Sequence, residues 1–303
     1  MKKALLYGLL ASLFFAFTFF FNRLMHLSGG YWMWSACLRF LIMLPCLALM
    51  LAVLPGDRFG PLMADIKRQP VPWFLWSTVG FGAFYLPLTA ASAFGQSWWV
   101  AASWEVTIVA GALITPLFGK KIPLKNLCLS LVVLAGVLLL QVPTETGGGD
   151  TQGSGAALLL ILIAAFSYPL GNRKMMQYCP PEINAFQRLF GMTLCSTPLW
   201  VLTALIAWLR AGPPSGGQLI QSGAVALFSG IVATALFFCA TDMVRDHPGQ
   251  LAVIEATQCG EIIFTLLGGI FLLGDSVPGV LGFVGLALII GGMVLNSLVA
   301  AAN

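Results

Sequence analysis

A chain of 303 residues that is 59% hydrophobic and only 9% charged departs sharply from soluble domains, where roughly 25% of residues are charged. A soluble fold of this length has too much surface to hide such an apolar excess, so lipid is the expected solvent for most of it. The net charge of +4 is small and scattered, which argues against nucleic acid as a partner. The seven cysteines show no CxxC spacing, which favours packing roles over a disulfide framework or a zinc site; no cofactor or metal is expected.

The first stretch, MKKALLYGLLASLFFAFTFFF, places two lysines before an apolar run, as a signal peptide does. No small-residue cleavage site follows, so it reads as a first transmembrane helix. A helix needs about 20 apolar residues to cross the hydrocarbon core. Ten candidates follow in order, at roughly 4–21, 31–54, 72–94, 97–118, 124–142, 155–172, 183–209, 219–241, 250–273 and 279–299. The breaks between them, such as LSGG, PGDRFGP, GKKIP, CPPE and GDSVPG, carry turn chemistry. With the N-terminus in the cytoplasm, the inner segments hold eleven basic residues, among them Lys2, Lys3, Lys120, Lys121, Arg173 and Lys174. The outer segments then hold only Arg23 and Arg210. This bias predicts that both termini are cytoplasmic, in a bacterial inner membrane.

The chain also echoes itself. Asn22–Phe40 (NRLMHLSGGYWMWSACLRF) and Asn172–Phe190 (NRKMMQYCPPEINAFQRLF) share Asn-Arg, a Met at the fourth place and a closing Arg near a Phe. LITPLFGKKIP and IFLLGDSVP each end a span on Gly-x-x-x-Pro. The expected fold is therefore an all-α polytopic membrane protein with ten transmembrane helices as two inverted five-helix repeats. These are residues 1–142 and 155–303, joined by an extracytoplasmic loop at 143–154. Transporters use this plan, with the substrate site near the midplane between the repeats.

Ten spans in two inverted halves resemble the drug/metabolite transporter superfamily, in its EamA-like branch. LLGDSVPGVLGFVGLALIIGGMVL resembles the usual close of such a repeat, with Asp275 where that family often has Glu. More narrowly, SLFFAFTFFFNR, GGYWMWSACLRF, WWVAASWEVTIVAG, SYPLGNRKMM, FQRLFGMTL and IEATQCGEI are similar to ten-span members of the "multidrug resistance efflux transporter" family. The resemblance implies export of small molecules. One feature of the related four-helix drug exporters is missing: neither 4–21 nor 155–172 contains the acid that their first helix carries.

Another acid must then serve any coupling to protons. Glu105, Glu255 and Glu261 lie well inside spans, where a charge costs at least about 2.5–3.5 kcal/mol on insertion scales. At 100° per residue, Glu255, Gln258, Glu261 and Thr265 fall on one stripe of the ninth span. Counted back from the terminal glycines, Glu105 and Glu261 are approximate repeat partners. Two readings of these acids stay open: proton or substrate sites, or static partners for Arg39 and Arg188. The arginines in turn either snorkel to headgroups or clamp a carboxylate or phosphate of the substrate. Trp104 and Tyr168 are deep enough to stack on a substrate.

The expected function is secondary export of lipophilic cations, drugs or metabolites by proton-coupled alternating access. The alternative is an exporter or facilitator of amino acids or similar metabolites that reads a carboxylate through Arg39 and Arg188. The expected partners are a small-molecule substrate, protons or another ion, and the bilayer, in a monomer or homodimer. A channel or intramembrane enzyme is a weaker reading, since no G-x-S-x-G or H-E-x-x-H is present.

Overall fold

The computed structural model describes residues 2–53, 59–119, 124–140, 142, 154–244, 253–254 and 257–302. All regular structure among them is helical, and the protein is a polytopic membrane protein. Lipid offers no hydrogen bonds, so each crossing segment must satisfy its own backbone, and a helix does so. Six helices are long and apolar enough to cross a membrane: Lys2–Leu27, Trp32–Val53, Pro70–Ala91, Gly155–Tyr178, Ala185–Ala211 and Gly216–Thr241. Of the other four expected spans, 97–118 and 250–273 are interrupted, 124–142 holds the 16-residue helix Leu124–Leu139, and 279–299 holds the 23-residue helix Val280–Ala302.

In chain order, α1 (Lys2–Leu27) and α2 (Trp32–Val53) are continuous, and a short α3 (Gly60–Arg68) precedes the third expected span. That span is α4 (Pro70–Ser77), a π-helical stretch at Thr78–Gly82 and α5 (Ala83–Ala91). The fourth is split into α6 (Ser97–Trp104) and α7 (Val106–Leu113), with Glu105 at the break. Then come α8 (Leu124–Leu139), α9 (Ser154–Tyr178) and α10 (Ala185–Ala211). The eighth is α11 (Gly216–Ala224), a π stretch at Val225–Ala233 and α12 (Thr234–Asp242). Last are α13 (Cys259–Gly268), which runs into a π stretch at Gly269–Leu273, and α14 (Val280–Ala302).

Four boundaries differ from expectation. α1 and α9 each run about six residues past their apolar runs, to Leu27 and Tyr178, because the polar pairs there find partners on neighbouring helices: Asn22 donates to the Tyr85 hydroxyl and Arg173 to Gly111 O. The Gly56–Gln69 connection holds α3, anchored by buried Asp65, which accepts from Trp73 Nε1 at 2.9 Å and pairs with Arg68. The ninth span is not one helix over 250–273. Thr257 and Gln258 form a turn, and Glu261 N–H bonds to Gln258 O with i→i+3 geometry at 2.8 Å. Glu255 lies outside the described residues.

The packing exchanges partners between the halves. α1 lies against the π stretch at 225–233, α12 and α13, whereas α9 lies against the π stretch at 78–82, α5 and α7. α2 packs on α10, and α8 on α14. In lipid, helices associate through close backbone approach at small residues. Gly136 and Gly285 supply it between α8 and α14, where a Cβ on either would press on the other's carbonyl oxygen. Gly171 supplies it between α9 and the third span, where a Cβ would collide with the Gly80 backbone. Gly171→Ala is expected to destabilise by about 1–3 kcal/mol, the usual cost of overpacking. A lowered melting temperature by fluorescence-detected size exclusion would register it, and an unchanged one would contradict this packing. Phe40 stacks flat on fully buried Trp200, with centroids 4.3 Å apart.

Candidate functional site

A cavity of about 590 Å³ lies where α1, α2, α5, α7, α9, α10, the eighth span and α13 converge. Glu105, Glu261, Arg39, Arg188, Trp104, Tyr168 and Gln258 all line it, so the residues singled out in the sequence come together, Glu255 excepted. Thr265 is fully buried and does not line the cavity.

Both acids sit at interruptions of helix bonding. Glu105 separates α6 from α7; its N–H reaches Ala102 O at 3.3 Å and its carbonyl accepts from Ile108 at 3.1 Å, both i→i+3. Glu261 occupies the first turn of α13 after the Thr257-Gln258 turn. The carboxylates are 3% and 7% exposed. Neither has an ion pair or a side-chain hydrogen bond among the described residues. They are close enough to feel one another, and Glu261 also feels Arg39.

Arg39, 8% exposed, is braced by neutral groups. Its Nη1 donates to Thr18 Oγ1 and its Nη2 to Ser229 Oγ, both at 3.2 Å, and the two hydroxyls bond each other. The guanidinium carbon lies 4.3 Å from the Tyr85 ring centroid. Among the described residues its Nε finds no acceptor, and neither does Gln258 Nε2. Snorkelling is excluded for Arg39 by this burial. Arg188 lines the cavity near the start of α10, close to Ala185.

Phe84, Trp104 and Tyr168 form a continuous aromatic wall beside Glu105. Their centroids are 4.8 Å apart for Phe84–Tyr168, 5.1 Å for Phe84–Trp104 and 5.7 Å for Trp104–Tyr168. Trp98 and Trp99, by contrast, are structural: their indoles donate to Gln96 Oε1 at 2.7 Å and Leu140 O at 3.2 Å. Sequence reasoning missed Thr18, Phe84, Asn172, Arg173 and Ser229 as lining residues. Only the Ser-Gly pair inside the apolar run FSGIVATAL hinted at one of them.

One rim of the cavity, with Thr115, Arg173 and Ala185, includes the exposed Arg173, whose Nη1 donates to Gly111 O at 2.7 Å. Toward the start of α6, outside the cavity lining, a hydrogen-bonded cluster joins α6 to the turn after α13. Buried Asp275 accepts from the Ser97 N–H at 3.0 Å and from the Ser97 hydroxyl, and lies 3.9 Å from Arg23 Nε. Gln96 donates to Ser276 Oγ, Trp98 to Ser276 O, and Asn22 to the Tyr85 hydroxyl.

Residues 2–302 match the EmrE family model, described as "Putative multidrug resistance efflux transporter". The "Uncharacterized protein YjlA" of Bacillus subtilis (strain 168) is 46% identical over 312 residues, covering 97% of this chain and 94% of its own. A Shouchella clausii protein, "Uncharacterized 42.1 kDa protein in intracellular alkaline protease 3'region", is 43% identical over 270 residues, covering 86% of this chain and 70% of its own. A solved crystal structure is similar with a TM-score of 0.67 over 100% of this chain and 99% of its own, at 15% identity. That last likeness concerns the fold alone.

Proposed function

The chain belongs to the EmrE-like multidrug resistance efflux transporter family, which makes it a membrane protein of a small-molecule transport family, and we propose that it exports its substrate from the bacterial cytoplasm in exchange for protons. The observation that carries this reading is a single cavity holding Glu105 and Glu261, both buried and neither ion-paired among the described residues. A carboxylate held there must be neutralised by a proton or by a cationic group, and one site that takes either in turn couples the two flows. Both groups stand at helix breaks, a recurrent arrangement at transporter binding sites.

Alternating access is supported by the exchange of partners between halves. Gly119 and Gly274 end their spans with the same left-handed φ, 71° and 70°, and π stretches recur at 78–82 and 225–233. These matched features support ten spans in two inverted repeats, 1–142 and 155–303. With both termini inside, the rim at Thr115 and Arg173 faces the cytoplasm and the Asp275 cluster faces outward, which we read as the seal of a cytoplasm-open state.

Flux tests the function. Proteoliposomes with an imposed pH gradient should move a fluorescent cation, an amino acid or a nucleoside faster than empty liposomes, and a protonophore should remove the gain. Flux that ignores the gradient would defeat proton exchange. Topology is tested separately by cysteines introduced at Gly148, outside the described residues, and at Gly60, in a chain with Cys128 and Cys239 replaced by serine. In intact cells an impermeant reagent should label position 148 and spare position 60; the reverse would overturn the orientation. Cys179 contributes little background, because burial pushes its thiol up to about 11 and thiols react as thiolates.

A further inference from the structure

We infer that the cavity takes a zwitterionic small molecule with an apolar, aromatic-sized body, its anionic group on Arg39 and its cationic group at Glu261. This rests on the cavity being the substrate site. The cation end alone would suit a lipophilic amine: two carboxylates without an ion pair among the described residues, beside the Phe84, Trp104 and Tyr168 wall, favour positive charge. Arg39 changes that conclusion. It is nine-tenths buried, it lines the same cavity, and it has no ion pair among the described residues. Its partners are two hydroxyls and an aromatic face. A guanidinium carries five N–H donors; among the described residues only two have acceptors, and Nε has none.

Such a group is costly to bury without a counter-charge. A purely cationic guest would add to that cost by repulsion, since Arg39 and Glu261 line the same cavity. A guest bearing an anion beside its ammonium relieves both charges at once. Thr18 and Ser229 hold the guanidinium in place for it, which limits the entropy lost on binding. The bidentate geometry of arginine suits a carboxylate.

The test uses three probes that share one phenyl ring: phenylalanine, phenethylamine and phenylacetate. Binding to the purified full chain is read by quenching of tryptophan fluorescence and by thermal shift. Phenylalanine should bind at least about tenfold tighter than either singly charged probe, because a second charge-assisted pair is added. Arg39→Gln should erase the advantage over phenethylamine, and Glu261→Gln should erase the advantage over phenylacetate. A purely bracing role for Arg39 would weaken all three probes alike and would refute the assignment. If Arg39→Gln fails to fold, Arg39→Lys keeps the charge without the fork and should weaken phenylalanine several-fold while sparing phenethylamine. Tighter binding of phenethylamine or phenylacetate overturns the inference while leaving the transport reading to the flux assay. So does failure of all three to bind at millimolar concentration.

Discussion

Glu261→Gln is expected to reduce pH-gradient-driven flux to the rate of empty liposomes while the protein still folds, inserts and elutes as one species. Glutamine keeps the length and hydrogen-bonding capacity of the side chain and cannot exchange a proton. The native carboxylate has no salt bridge to lose among the described residues, so the substitution leaves no orphaned cation that was paired with it. It also lies in the first turn of α13, where the helix N-terminus stabilises negative charge by about 0.3–1 kcal/mol, or up to ~2 in partly buried geometry; neutralisation there costs stability only on that scale. Glu105→Gln is also expected to slow flux, because Glu105 lines the same cavity and caps the start of α7. Normal gradient-driven flux in both variants would rule out coupling through these acids. Loss of folded protein in both would instead assign them a structural role.

The helical class and the membrane setting were legible because apolar runs near 20 residues leave few other structures open in lipid. The convergence of Glu105, Glu261, Arg39 and Trp104 was legible for a related reason: polar groups in a lipid-facing chain must turn inward. What a sequence periodicity could not reveal was local backbone bonding. A stripe at 100° per residue assumes an unbroken helix, and Glu105 and Gln258 fall where i→i+3 bonds replace i→i+4. No proline or glycine at either position announced the break. The state of Arg39 was also hidden. Three acids and two arginines within spans suggested mutual neutralisation, whereas the guanidinium rests on Thr18, Ser229 and Tyr85. Hydroxyl groups in apolar runs are too common to single out, and these come from spans about 190 to 211 residues apart in places. Phe84 was lost among 22 phenylalanines because nothing in its neighbourhood separates a cavity wall from a lipid contact.

Asp275→Ala is expected to open the sealed end of the cavity. Asp275 comes from the turn after α13, yet it satisfies two donors of Ser97, the first residue of α6. It therefore serves as a cap supplied by another segment, placing negative charge at a helix N-terminus. With the charge-assisted hydrogen bonds to Ser97 worth about 1.5–3 kcal/mol, their loss should raise the open-to-sealed ratio roughly ten- to hundredfold. The neighbouring bonds from Gln96 and Trp98 to Ser276 remain, so the end should open in part and the fold should persist. Leu88, 1% exposed on the cavity wall of α5, provides the reporter. A cysteine at position 88 should react with an impermeant reagent at least about ten times faster in the Asp275→Ala background, as that ratio requires. Arg23→Gln is the comparison. At 3.9 Å and with 19% of its side chain exposed, Arg23 forms the kind of pair that contributes about 1 kcal/mol or less, so its loss should speed labelling by only a few-fold. Equal labelling in all three backgrounds would show that the seal does not depend on Asp275, and closure would then rest on the packing of Trp98 and Tyr85 alone.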